Sequence, residues 1–408
     1  AITKLKRLDK IDFSGGMHFS EKPSKTNMII AKKGDLVISG INVAKGALAV
    51  YDGEEDITAT IHYSSYQFDD QKIDVEYFKR FLKSPKFIQL LKDQVKGGIK
   101  TEIKPKHLLP LKINLPDVNT QKSIVAVFQR IESKVDDLNI QITKQHNFII
   151  KLRQTILQEA VEGKLTAEWR TQNPELISGD NHAARLLEKI KAEKERLVKD
   201  GKIKRSPKIK NIKTIRDLSL PREWAYCKGD DIFFVTKLAG FEYTDYVILK
   251  ESGDIPVIRA QNVRPLKIDK TNLLYIDKET SSKLERSALT KPCLLFTFIG
   301  AGIGDVALFN EKNRWHLAPN VAKMEIFTND SLALNLFYLN YFLLSKFGKK
   351  QIFKHIKATA QPSLSMGTIR DMDFAIPPLA EQQTIGEKVD RLMAKINELE
   401  EQVKSRKS

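Results

Sequence analysis

Cysteine is almost missing from this sequence. Cys227 and Cys293 are the two among 408 residues. That excludes a disulfide framework and a four-thiolate zinc site, and it fits a reduced, cytoplasmic setting. Long apolar runs are missing too; none approaches the roughly 20 residues that a bilayer span requires, so no membrane role is expected. Acidic residues are in deficit: 51 Asp and Glu against 68 Lys and Arg give a net charge of +17, with a pI near 9.5. Such a surplus concerns partners rather than fold, and it favours polyanions such as nucleic acid. Catalytic signatures are lacking as well. There is no phosphate-binding Gly-x-x-x-x-Gly-Lys-Ser/Thr and no His-Glu-x-x-His. The Asp/Asn-Pro-Pro-aromatic motif of amino-methyltransferases is absent, because Pro377-Pro378 is followed by Leu379. His62, His107, His316 and His355 are scattered, as expected of structural or nucleic-acid-facing side chains rather than metal ligands. We therefore expect no catalytic residue, no bound metal and no cofactor on this chain.

What is present suffices for real cores. Hydrophobic residues make up 41% of the chain and aromatics 8%, and at about 150 residues per domain the length predicts two or three domains. The sequence also repeats itself. Leu115-Pro116-Asp117-Val118-Asn119-Thr120-Gln121 aligns with Ile376-Pro377-Pro378-Leu379-Ala380-Glu381-Gln382 at an offset of about 261 residues. The same offset pairs Tyr77 with Tyr338, Phe81 with Phe342 and Ser84 with Ser345. Upstream, Leu36 to Val50 matches Leu294 to Leu308 at an offset of about 258. A period this long exceeds that of any solenoid and predicts two related domains, each followed by a related helix. On this alignment Ala1 corresponds to roughly residue 259, so the first copy is expected to lack its opening strands. The start, Ala1-Ile2-Thr3-Lys4, is neither a signal peptide nor an initiator methionine, and we expect that it is clipped.

The helices carry the sharpest pattern. In the first, apolar residues fall at Ile124, Phe128, Ile131, Val135, Leu138, Ile142, Ile149, Leu152 and Ile156, interrupted at Gln145. In the second they fall at Ile385, Val389, Leu392, Ile396, Leu399 and Val403. Alternating steps of four and three are a coiled-coil seam. Pro116 and Pro377-Pro378 stand just ahead of each helix and Gly163 just past the first, positions these residues favour. Between the halves, Ala183 to Lys199 predicts a charged helix with Leu186, Leu187, Ile190 and Leu197 on one face. Arg185 to Lys213 holds 12 basic and 4 acidic residues, the composition of a solvated linker or arm.

Each repeated domain reads as strands first and a helix later, an α+β class. Strands are predicted around Val257–Arg259, Leu273–Ile276 and Cys293–Thr297, and helices over Leu334–Lys354 and Val75–Val95. The expected organisation is a recognition domain over 1–115, a spacer helix over 116–165, a charged helix and basic linker over 166–214, a second recognition domain over 215–377 and a second spacer helix over 378–408. Phe298-Ile299-Gly300-Ala301-Gly302-Ile303-Gly304 resembles a glycine-rich cofactor turn. It leads into the strand-like Val306–Phe309, however, so a hairpin fits better.

A binding role remains. The candidate DNA contacts are polar and basic residues in predicted loops. In the second domain these are Lys237, Arg259, Gln261, Asn262, Arg264, Arg314, His316, Asn320, Lys357, Gln361, Ser363 and Ser365. In the first they are Lys45, His62, Ser64, Ser65, Lys96, Lys100 and Thr101. Arg, Lys, Asn and Gln read base edges, Ser and Thr assist, and contacts to phosphate alone position without specifying.

At this point the sequence resembles the specificity (S) subunits of type I restriction–modification systems, over its whole length. The resemblance rests on Ile376–Ile385, on Leu152-Arg153-Gln154-Thr155-Ile156-Leu157 through Leu165, on Ala192–Leu197 and on Leu220-Pro221-Arg222-Glu223-Trp224. It implies two target recognition domains, each binding half of a split double-stranded DNA target. They would be separated by two long helices in an antiparallel coiled coil. It also implies docking of methyltransferase (M) and restriction (R) subunits, which would hold S-adenosylmethionine, ATP and Mg. A competing enzyme class is the C-terminal recognition portion of a fused restriction–methyltransferase. A scaffold that uses only its coiled coil would leave the charge and the repeat unexplained.

Overall fold

The computed structural model describes residues 5–20, 26–43, 46–94, 109–110, 112–206, 219–300, 302–327, 334–354 and 362–405. The chain divides into two compact units, Ala1–Gln141 and Ile142–Ser408, with the division falling inside one long helix, Val118–Val161. That helix is 44 residues, about 66 Å at 1.5 Å per residue. It ends where expected: Gly163 has φ 72°, the left-handed conformation that closes a helix at least cost with glycine. No helix among the described residues is long and apolar enough to cross a membrane.

The duplication is visible in the sheets. In the second unit a four-stranded sheet runs in the order Leu274–Ile276, Ile255–Ile258, Trp315–Leu317, Ala288–Leu289. Its central pair is parallel and its outer pairs antiparallel. The first unit builds the same order and directions from Met17–Ser20, Arg7–Ile11, Ile57–Thr60 and Met28–Ala31. A second sheet runs Val306–Phe309, Cys293–Thr297, Val321–Ile326, Phe233–Lys237 in the second unit. Its counterpart in the first is Leu48–Val50, Leu36–Ser39, Tyr63–Tyr66, with three strands among the described residues where the second unit has four.

This topology corrects the alignment of the copies. Arg7–Ile11 matches Ile255–Ile258, so the counterpart of Ala1 lies ahead of residue 259. The discrepancy arises because the connection after this strand is a tight turn at Asp12–Gly16 in the first unit. In the second it holds a small hairpin, Val263–Arg264 with Lys267–Ile268.

The central strand Cys293–Thr297 is buried along its whole length, which explains its unbroken apolar sequence. Leu336–Leu344 is apolar on every side and buried accordingly. Each helix expected after the strands is in fact two. Val75–Leu82 is followed by Pro85–Gln94, and Leu336–Leu344 by Lys346–Lys354. The breaks are equivalent. Ser84 Oγ accepts from Phe87 N at 3.2 Å and Ser345 Oγ from Gly348 N at 3.1 Å, each serine opening a new helix. The charged helix Ala183–Lys199 forms as predicted, burying Leu186, Leu187 and Ile190. The basic stretch 207–218 lies outside the described residues.

Within the second unit, the end of the long helix packs against the C-terminal helix Leu379–Ser405. Arg153 Nη2 donates to Asn397 Oδ1 at 2.8 Å and Glu400 Oε2 at 2.6 Å, while Lys388 Nζ donates to Leu165 O at 3.0 Å. One helix number rises as the other falls, so the pair is antiparallel. Ile149, Ile156, Ile385, Val389 and Ile396 of the predicted seam are buried there. Leu157, Ala160, Val161 and Met393 join them, because this end of the pair also packs on Trp224, Tyr338 and Phe374 of the adjoining domain. The seam is narrower in extent than its sequence suggests. Ile124, Ile142, Leu392 and Val403 are half-buried. Phe128, Ile131, Val135, Leu138, Leu152 and Leu399 are exposed. A periodic apolar stripe reports a tendency to pair, not the presence of a partner at every turn.

We expect Ile385→Ala to lower the stability of the second unit by roughly 3 kcal/mol. Leu138→Ala should change stability by no more than about 0.5 kcal/mol. Urea unfolding of the two variants tests the assignment; equal losses would refute the uncovered seam.

Candidate DNA-recognition surfaces

In the second unit the glycine-rich loop is a hairpin between antiparallel strands, as its sequence context predicted. Gly304 N donates to Thr297 O at 2.9 Å and Thr297 N to Asp305 O at 3.0 Å. Gly300 (φ 100°) and Gly304 (φ 86°) hold conformations that a side chain would strain. Other segments converge on it. Phe298 N donates to Asn320 O, Leu364 N to Phe298 O, and Ile299 pairs with Ser363 in a short bridge. The Lys237 ammonium lies 4.9 Å from the centroid of the Phe298 ring. Of the predicted residues, Lys237, Asn320, Ser363 and Ser365 thus gather around one hairpin. Ser363 and Ser365 are exposed, and Ser365 caps the helix Met366–Asp371 by accepting from Thr368 N at 3.0 Å.

Charge follows the same geometry. Burial raises the Asp305 carboxyl above its ordinary pKa, and the positive charges of Arg264 and Lys349 oppose that rise. The hairpin is therefore flanked by Lys237, Arg264 and Lys349 with one partly desolvated acid among them. Lys349 was missed in the sequence. Its signal is the spacing of Lys346, Lys349, Lys350 and Lys354 on a helix whose other side buries Phe347, Gln351 and Ile352.

Several candidates are engaged within the fold instead. Asn262 is 1% exposed; its side chain accepts from Arg259 N and donates to Asp269 O. His316 is also 1% exposed, with Nδ1 3.1 Å from Leu317 O and Nε2 3.2 Å from Leu284 O. Neither reaches a duplex in this conformation. Arg314 holds Ser281 and Glu285, its Nη2 donating to Glu285 Oε2 at 2.6 Å. Arg259 donates to Asn272 O, while Gln261 is exposed on the same connection. Residue type alone does not tell an exposed donor from one already paired.

In the first unit His62 is exposed in the turn before Tyr63–Tyr66, with Ser64 half-buried beside it. Ser65 Oγ donates to Asp35 Oδ2 at 2.8 Å and so serves the sheet. Lys45, Lys96, Lys100, Thr101, Lys357 and Gln361 lie outside the described residues. Among the described residues no cluster of three or more His, Cys, Asp or Glu could hold a metal ion. Both cysteines are buried, and burial pushes each thiol well above its ordinary pKa, which suppresses the reactive thiolate.

Residues 221–406 match the family described as the type I restriction modification DNA specificity domain. The EcoKI specificity subunit of Escherichia coli K12 is 39% identical over 121 residues, 29% of this chain and 26% of the relative. The EcoDI specificity subunit of Escherichia coli is 34% identical over 125 residues, 31% and 28%. Over the matched stretches the chain is similar to type I restriction enzyme specificity subunits. The matched stretches span about a quarter to a third of these relatives' length. Among solved structures, the HsdS subunit from Thermoanaerobacter tengcongensis shares the fold with a TM-score of 0.50 at 13% identity. That match covers 97% of this chain and 84% of that one. A structure described as underlying complex assembly and conformational transition of the type I R-M system matches at 0.50 and 12%, covering 98% and 87%. The specificity-subunit fold thus accounts for the α+β class, the two β-rich units and the long helices.

The environment of His316 yields a pH dependence. Desolvation, with Arg314 and Lys323 nearby, holds its pKa below the ordinary 6.5, though two backbone carbonyls oppose this. A depressed folded pKa stabilises the fold above 6.5, and that contribution is lost as pH falls below it. Stability is therefore expected to fall as pH drops below 6.5. His316→Gln is expected to flatten the slope between pH 7 and pH 5; parallel stability curves would refute the assignment.

Proposed function

We propose that this chain is the DNA-reading subunit of a type I restriction–modification complex. Each recognition domain reads one half of a split double-stranded target, and the long helices hold the half-sites apart. Methyltransferase and restriction subunits dock on the chain. They carry S-adenosylmethionine, ATP and Mg and make and break the bonds, while this chain supplies sequence choice and works in the cytoplasm. The observation that carries the reading is the duplicated two-sheet domain in a chain of net charge +17, with basic side chains around the hairpin of the second copy.

The physics of such a device is simple. Phosphate neutralisation by Lys and Arg gives each domain a weak, salt-dependent grip. Joining two weak sites by a stiff spacer makes the second binding event intramolecular, which raises affinity without new contacts. It also restricts binding to half-sites whose separation matches the spacer, about one helical turn or roughly 34 Å when both domains face one side of the duplex.

Two experiments test this. Lys349→Glu should weaken binding of the cognate duplex about tenfold and lower the slope of log affinity against log salt by about 1. Exchanging residues 215–377 for the corresponding domain of another family member should change one half of the methylated target, read by long-read sequencing. Loss of specificity in both halves would refute the division of labour.

A further inference from the structure

Two buried glutamines occupy equivalent places in the repeat. Gln121 and Gln382 are both 0% exposed. Each is the fourth residue of its long helix, Val118–Val161 and Leu379–Ser405. Each uses both ends of its side-chain amide. Gln121 Oε1 accepts from Asp74 N at 2.8 Å, and its Nε2 donates to Lys72 O at 2.9 Å and Pro116 O at 2.7 Å. Gln382 Oε1 accepts from Asn335 N at 2.9 Å, and its Nε2 donates to Pro377 O at 2.9 Å. Asp74 and Asn335 are in turn the residues that cap the equivalent helices Val75–Leu82 and Leu336–Leu344, accepting from Tyr77 N at 2.8 Å and Tyr338 N at 3.1 Å. The amide therefore ties the chain entering the long helix to the chain entering the domain helix, 47 residues apart in both copies.

The chemistry of the joint is restrictive. Backbone N–H groups need an acceptor and backbone carbonyls a donor, and a primary amide offers both in one rigid plane. Glutamate could not donate, and methionine of similar shape could do neither. At zero exposure no water replaces a lost partner, so the bonds hold an orientation that an exposed amide would not. Glu381, the neighbour of Gln382, has Thr120 as its counterpart in the first copy. The glutamine is the part of the joint that both copies share.

We infer that Gln121 and Gln382 are positioning residues that set each recognition domain rigidly on its long helix, and thereby the gap between the half-sites the chain accepts. The second clause rests on the function proposed above; the first does not.

The test separates the two. Gln121→Met and Gln382→Met are made in the full chain, with Leu8→Ala as a control that loosens a sheet core away from the joint. In duplex binding, the preference for the cognate gap over gaps one base pair longer or shorter should fall at least fivefold in the glutamine variants. Discrimination against base changes within a half-site should stay as in wild type, and the control should keep its gap preference. A folded glutamine variant whose gap preference stays within twofold of wild type overturns the inference. Should the wild-type chain show no sequence preference, the proposed function fails and the joint is judged by electron–electron distances. Nitroxide labels at the exposed positions Lys10 and Lys134 then give a distribution that widens in Gln121→Met if the inference holds, and an unchanged width overturns it. Should a variant fail to fold, hydrogen exchange of the wild-type Asp74 and Asn335 amides decides. Protection equal to the helix cores supports the joint; loop-like exchange overturns it.

Discussion

One buried carboxylate joins the parts of the second unit. Glu381 is 0% exposed and accepts from Thr166 Oγ1 at 2.5 Å, Arg170 Nη1 at 2.5 Å and Trp224 Nε1 at 2.8 Å. These partners come from the turn after the long helix, the short helix that follows it and the opening of the recognition domain. A carboxylate without water must find its donors inside the protein, so all three segments are fixed relative to Glu381 once the core closes. Replacing the carboxylate would leave Arg170, with 16% of its side chain exposed, largely buried against nothing of opposite charge.

The duplicated domains differ where binding proteins diverge. Their sheets share strand order and direction, the part that hydrogen-bond ladders and core packing constrain. The connections between strands do not agree: a tight turn at Asp12–Gly16 stands where the second unit inserts a hairpin bearing Arg264. Loops carry few packing constraints and can change without disturbing the core. The two copies are thus matched scaffolds with unmatched loops.

Much of this was legible without coordinates. The four-and-three spacing marked both long helices, and the alternation of apolar runs with Gly, Asn and Pro marked the strands. The repeat of Ser84 with Ser345 and of Gln121 with Gln382 was visible as a pattern, but its meaning was not. In space each serine starts a second helix, and each glutamine ties two backbone segments together. Among the recognition candidates, Lys237, Asn320, Ser363 and Ser365 gathered around the hairpin, while Asn262, His316 and Arg314 turned inward. Polarity predicts a wish for hydrogen bonds and is silent on whether protein or nucleic acid supplies them.

The amino-acid order by itself determined the duplication, the helix periodicity and the basic balance, because local propensity and pattern carry these through short-range physics. Tertiary structure decided how far the helical seam is covered, which donors remain for a ligand, and which buried amides and carboxylates lock one segment to another. Those outcomes depend on groups 47 to 247 residues apart meeting in space. Contacts across such separations are set by the closing of the core, which no local window of sequence contains.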